Sequence, residues 1–158
     1  MTVLFMTAFV IVLDQITKVL VRSKMDLHES IPVIKDFFHL TYVTNNGMAF
    51  GINFNGGIYV FTAASFIMTI LLLVYLWTER KSSWVLRSAL ALILGGAIGN
   101  LIDRVIFREV ADFFDFIFGT YHWYIFNVAD SAVTVGMVLF LYYSFFLQPK
   151  PESPPQSA

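Results

Sequence analysis

The chain has 158 residues, enough for one ordinary domain. Its composition is not that of a soluble globule, which carries about 25% charged residues: 58% of the residues are hydrophobic, 13% are charged and the mean hydropathy is +0.72. This points to a membrane protein; a net charge of −1 offers no basic surface for nucleic acid, and the absence of cysteine removes disulfides, thiolate metal sites and a cysteine nucleophile.

A bilayer needs roughly 20 consecutive apolar residues per helical span. The first such run covers about 2–21 and is interrupted by Asp14 and Lys18, four apart on one helix face and able to neutralise each other. It has no basic leader and no small-residue cleavage site after it, so it is expected to be a retained helix. The next region, about 24–56, has period two instead. Phe38, Leu40 and Tyr42 alternate with His39, Thr41 and Val43, and after Asn45-Asn46-Gly47 the pattern resumes at Met48, Phe50, Ile52 and Phe54. Alternation on both sides of Asn-Gly predicts a hairpin in a small sheet at the membrane surface.

Further apolar runs cover about 57–77, which carries no charge, about 85–102 and about 123–147, which encloses Asp130. Basic residues stand on both sides of these spans, Arg80, Lys81 and Arg87 on one and Arg22, Lys24, Lys35, Arg104 and Arg108 on the other. Charge counting alone therefore leaves the orientation open. Residues 104–122 join the last two spans and carry Phe107, Phe113, Phe114, Phe116 and Phe118, which predicts a mobile amphipathic lid along the membrane surface. Residues 148–158 hold four of the five prolines and read as a disordered tail behind a single domain, 1–147.

Ionisable groups inside spans are functional candidates by default. Asp103, Asp112 and Asp130 fall around the linked ends of the last two spans. Each has a plainer reading: Asp103 beside Arg104 as a structural ion pair or polar brace, Asp112 and Asp115 as solvated groups, Asp130 as a contact between helices. Gly95 and Gly99 form a small-residue repeat that suits close helix packing. Two aspartates held together are a different object from either alone, because neighbouring carboxylates share one proton. One can then take a proton from water while the other donates to a carbonyl oxygen, which suffices for peptide hydrolysis. His28, His39 and His122 lack ligand spacing, and neither a zinc His-Glu-x-x-His nor a Gly-x-Ser-x-Gly motif is present, so no metal or cofactor is expected.

The blocks DQITK (14–18), NNGMAFG (45–51), GNLIDR (99–104), VADF (110–113) and FNVADS (126–131) occur in this order over nearly the whole chain apart from the tail. Together they resemble the lipoprotein signal peptidase (signal peptidase II) family. The resemblance implies a mainly α membrane protein with four transmembrane helices, a small extracytoplasmic β-sheet cradle and a surface amphipathic segment. It implies an aspartic endopeptidase of the bacterial cytoplasmic membrane that cuts diacylglyceryl-modified prolipoproteins just before the lipidated cysteine. It assigns Asp112 and Asp130 as the catalytic dyad, with Asp14, Asn45, Gly47, Asn100, Asp103, Arg104 and Asn127 binding substrate or supporting the site. Both termini would be cytoplasmic, the dyad near the outer face, the enzyme a monomer among membrane lipids, and globomycin-type cyclic peptides its inhibitors. Met48 departs from the pattern, standing where a small residue is expected after Gly47. Two other classes are set against this: a small proton-coupled transporter, which needs opposing access and commonly shows internal repeats, and a non-enzymatic membrane assembly factor, which would tolerate Asp112→Asn.

Overall fold

Among the described residues, four helices of 20 to 23 residues are long and apolar enough to cross a membrane. The computed structural model describes residues 3–45 and 56–148. The helices are α1 (Leu4–Lys24), α2 (Gly57–Thr78), α3 (Trp84–Ile106) and α4 (Val128–Tyr142), the last continued by a π-helical turn, Tyr143–Leu147. Four strands, β1 (Ser30–Ile34), β2 (Phe38–Asn45), β3 (Val110–Phe118) and β4 (Tyr121–His122), form one antiparallel sheet in the order β1-β2-β3-β4.

The share of each helix that is buried follows its side-chain sizes and charges. α2 has no charged residue and buries only Gly57, Thr69 and Leu76, leaving its apolar surface to lipid. α3 is the central helix and buries a run of small residues, Ser88, Ala89, Ala91, Gly95, Gly96 and Gly99, which lets neighbouring backbones approach. A Cβ at Gly96 would collide with the carbonyl oxygen of Ala129, and one at Gly99 would lie 2.6 Å from Asp14 Oδ2. Gly95 meets α1 in the same way, at Val10. At the other end of the bundle Val3, Leu76, Leu86, Leu90, Ala91 and Leu94 form an apolar core.

Several boundaries differ from those read in the sequence. α3 continues to Ile106, about one turn past the expected end, because Asp103 and its neighbours find partners inside the bundle. α4 starts at Val128, five residues late, because Asn127 caps it: the Asn127 side chain accepts from the Asp130 N–H while the Asp130 carboxylate accepts from the Asn127 N–H. The largest difference lies in the connection between α3 and α4. Residues 110–118 are a strand, buried along most of its length and paired with β2 through Phe38↔Phe116, Leu40↔Phe114 and Val43↔Asp112. Its aromatics pack on the sheet, with Phe38 stacked on Phe116 at 4.8 Å, where a surface lid was expected. β2 therefore takes β1 and β3 as partners, and the hairpin arm expected over 48–54 lies outside the described residues, as does most of the 148–158 tail.

Candidate active site

The floor of the site is a buried charge cluster. Asp14 and Lys18 lie one turn apart on α1 and meet at 2.9 Å, both fully buried. Lys18 Nζ also lies 3.4 Å from Asp103 Oδ2, and Arg22 reaches the same oxygen at 2.8 Å. Backbone N–H groups add to these: Ala129 donates to Asp14 Oδ1 at 2.9 Å and Ala111 to Asp103 Oδ2 at 3.1 Å. Gln15 adds donation to Asp14 and to the Gly99 carbonyl. Every buried charge thus has an opposite charge and a hydrogen bond, the condition under which such a cluster is tolerated. The cluster joins α1 to α3, to the start of β3 and to the first turn of α4.

Above the floor stand two carboxylates of another kind. Asp112 on β3 and Asp130 in the first turn of α4 border one cleft, and neither has an ion-pair partner within 4 Å among the described residues. Amides hold them instead. Asn127 Nδ2 donates to Asp112 Oδ1 at 2.6 Å, and Asn100 Nδ2 donates to Asp130 Oδ1 at 2.7 Å. Asn45 reaches Asp112 Oδ2 more weakly, at 3.5 Å. Burial first and the Asp130 charge second push the Asp112 carboxyl from its ordinary 3.8 up to about 7, against the opposing pull of Asn127, Lys18 and Asn45. A carboxyl titrating there carries a proton it can give or recover at neutral pH.

The cleft encloses about 570 Å³. Asn45, Asn100, Arg104, Asp112 and Asp130 form its polar side, and Val110, Trp123, Phe126 and Val135 its apolar wall. Arg104 Nε is buried without a hydrogen-bond partner among the described residues, an orphaned donor on the cleft-lining Arg104. Trp123 and Tyr124 are half exposed at the rim, in the amphipathic aromatic position common at a membrane boundary. No three His, Asp or Glu side chains among the described residues are placed to hold a metal ion.

Of the residues singled out in the sequence, Asn45, Asn100, Arg104, Asp112 and Asp130 line this one cleft, with Asn127 beneath them. Asp14 and Asp103 sit in the charge cluster below. Asp103 pairs with Lys18 and Arg22, and the expected pair with its neighbour Arg104 does not form. Gly47 and Met48 lie outside the described residues. Asp115, expected in solvent, is buried: it accepts from Thr41 Oγ1 at 2.8 Å and meets His122 Nδ1 at 3.1 Å. It lies three residues along β3 from Asp112, an odd spacing that places it on the opposite sheet face. Sequence reasoning missed Arg22 and Tyr124, whose OH lies 3.0 Å from Asn45 Nδ2, and saw Lys18 only as a counter-charge for Asp14. The signal for Arg22 was present: it follows Lys18 by four residues, on the same helix face.

Residues 6–146 match the family model described as signal peptidase (SPase) II. The chain is 46% identical over 152 residues to a lipoprotein signal peptidase of Desulforapulum autotrophicum, covering 89% of each chain. It is 44% identical over 156 residues to one of Syntrophus aciditrophicus, covering 95% of each. Among solved structures it is similar to a bacterial membrane enzyme at 34% identity and TM-score 0.78, over 93% of this chain and 94% of the other.

Proposed function

The chain belongs to the signal peptidase II family, and from that membership we propose that it removes signal peptides from lipidated prolipoproteins with Asp112 and Asp130 as its catalytic dyad. It is an integral membrane peptidase of the bacterial inner membrane. The observation that carries the dyad is the pair itself: a buried Asp112 and a part-buried Asp130 on one cleft, held by amides and, among the described residues, without a cation within 4 Å.

In this reading the pair shares one proton. A water between the carboxylates loses a proton to the ionised one as its oxygen attacks the scissile carbonyl. The protonated one donates to the carbonyl oxygen, giving a neutral tetrahedral diol. The proton taken from water then passes to the leaving amide nitrogen, the C–N bond breaks, and the other carboxyl recovers its proton from the diol. The orphaned Arg104 Nε donates to a substrate carbonyl and holds the extended chain in place. The apolar wall at Val110, Trp123, Phe126 and Val135 takes the residues before the cut, and the diacylglyceryl chains stay in the bilayer. Asn45, Gly47, Asn100 and Asn127 bind substrate or hold the dyad. Asp14 and Asp103 brace it from below.

An even number of spans puts both ends of the bundle on one side, the cytoplasm, and the sheet with its cleft at the outer face. The enzyme acts as a single domain and a monomer, and cyclic peptides of the globomycin type compete for the cleft. Proton-coupled transport is not favoured, since the carboxylates gather at one end of the spans. The test is purified protein with a diacylglyceryl-modified prolipoprotein and its unlipidated counterpart, read by mass spectrometry. Cleavage of the lipidated form just before its cysteine is expected. A folded protein that cuts neither, or that cuts elsewhere, overturns the reading.

A further inference from the structure

The dyad is symmetric in residue type and asymmetric in its hydrogen bonds, and the asymmetry starts at Lys18. An ammonium can only donate. Lys18 Nζ lies 2.8 Å from Asn100 Oδ1, so the Asn100 oxygen faces Lys18 and its NH₂ faces Asp130 Oδ1. The same Asn100 oxygen accepts from Asn127 Nδ2 at 3.2 Å. This turns the Asn127 NH₂ toward Asp112 Oδ1 and leaves the Asn127 oxygen to accept from the Asp130 N–H at 3.0 Å. The two ends of an amide are alike in shape, so the donor-only lysine is what selects between the two settings of each. At the end of the chain both Asp130 oxygens accept an N–H, one from Asn100 and one from the Asn127 backbone at 3.2 Å. Among the described residues, Asp112 Oδ2 has only the weak Asn45 contact. The free oxygen of the pair, and the seat for the shared proton, is Asp112 Oδ2.

We infer that Lys18 is a positioning residue for the dyad: through Asn100 it fixes the two amides that hold Asp130 and Asp112, and so makes Asp112 the acid and Asp130 the base. This rests on the dyad reading above. The groups facing Lys18 are Asp14 on its own helix and Asn100 and Asp103 on α3, with Arg22 behind Asp103. Asp112, Asp130 and Arg104 complete the charged groups of the site. The upward displacement of the Asp112 carboxyl by burial and by Asp130 agrees with this seat, and Lys18 opposes it by its charge alone. Without Lys18, Asn100 is free to turn its oxygen toward Asp130, which must then carry the proton.

Removing Lys18 alone would strand Asp14, so the test uses two neutral pairs, Lys18→Met with Asp14→Asn and Lys18→Gln with Asp14→Asn. Glutamine keeps a donor for Asn100 without the charge, and methionine keeps neither. For each pair that melts cooperatively, kcat and KM for the lipidated substrate are measured from pH 5 to 9. Loss of the positive charge favours protonated carboxyls, so the acid limb of kcat should move up by about one pH unit, a factor of about ten in protonation, with KM nearly unchanged. The methionine pair should be about a further tenfold slower than the glutamine pair, the loss that goes with amide orientation. An unmoved acid limb, or a loss uniform across pH, overturns the inference. Variants that retain Lys18 test the proton seat independently: at pH 6 the carboxylic-acid infrared band should vanish in Asp112→Asn and persist in Asp130→Asn, and the reverse overturns it. If either of those two variants turns over like wild type, the dyad reading itself fails; if both are dead while the Lys18 pairs behave as wild type, only the inference fails.

Discussion

Two pairs of aspartates meet in this fold, Asp14 and Asp103 bonding the backbone N–H groups next to Asp130 and Asp112, and the pairs differ in their company. Asp14 and Asp103 are locked to Lys18 and Arg22, and each also accepts a backbone N–H. Asp112 and Asp130 have amides and, among the described residues, no cation within 4 Å. Asp14, Asp103 and Asp112 are all buried where α1, α3, β3 and α4 meet, with Asp130 part-buried beside them, so burial alone does not distinguish structure from chemistry. A carboxylate with a fixed cation is committed to its charge and works as a brace. One facing another carboxylate has a proton to move, and the brace keeps it in position.

If this division holds, substitutions should separate along it. Asp112→Asn or Asp130→Asn should lower turnover by roughly 10³- to 10⁴-fold without lowering the melting temperature. The pH dependence of stability should follow as well. Asp112 titrates near 3.8 when unfolded and near 7 when folded. Between those values the folded state keeps a proton that the unfolded chain has released, so this group costs stability as pH rises through that window. The melting temperature of Asp112→Asn relative to wild type should therefore increase between pH 5 and pH 8, as read by thermal unfolding at both.

The braced pair should show the opposite pattern. Asp103→Ala leaves Lys18 and Arg22 without their shared carboxylate and should cost about 3–5 kcal/mol of stability, with turnover falling only as far as the folded fraction does. Gly99→Ala places a methyl group against Asp14 and should cost about 1–3 kcal/mol, again read by thermal unfolding. The smallest effect is expected at Asp115→Asn on the far face of the sheet, about 1 kcal/mol from its weakened bonds to Thr41 and His122, with turnover unchanged.

The four spans were legible because a bilayer imposes a length on any apolar helix, and Gly95 and Gly99 announced the close approach that α3 makes. The site residues were legible as a set through the ordered blocks that carry the family resemblance. What the sequence concealed was pairing between distant segments. VADFFDFIF lacks strict alternation, because β3 buries side chains on both faces, and so read as an amphipathic surface segment. The same error placed Asp115 in water: a strand buried on both sides encloses whatever it carries, and the partners that satisfy this carboxylate, Thr41, 74 residues away, and His122, leave no local pattern. Lys18 was visible as a partner for Asp14 by helix spacing, but its bond to Asn100 spans 82 residues and has no local signature.

The division between brace and dyad is tested most directly by running Asp112→Asn, Asp130→Asn and Asp103→Asn beside wild type, each scored for lipoprotein cleavage by mass spectrometry and for thermal unfolding. The expected result is a crossing: both dyad variants fold as wild type and do not cut, while Asp103→Asn melts early and its folded fraction still cuts. A folded Asp112→Asn or Asp130→Asn that turns over near the wild-type rate would contradict the assignment of these two carboxylates as the catalytic pair.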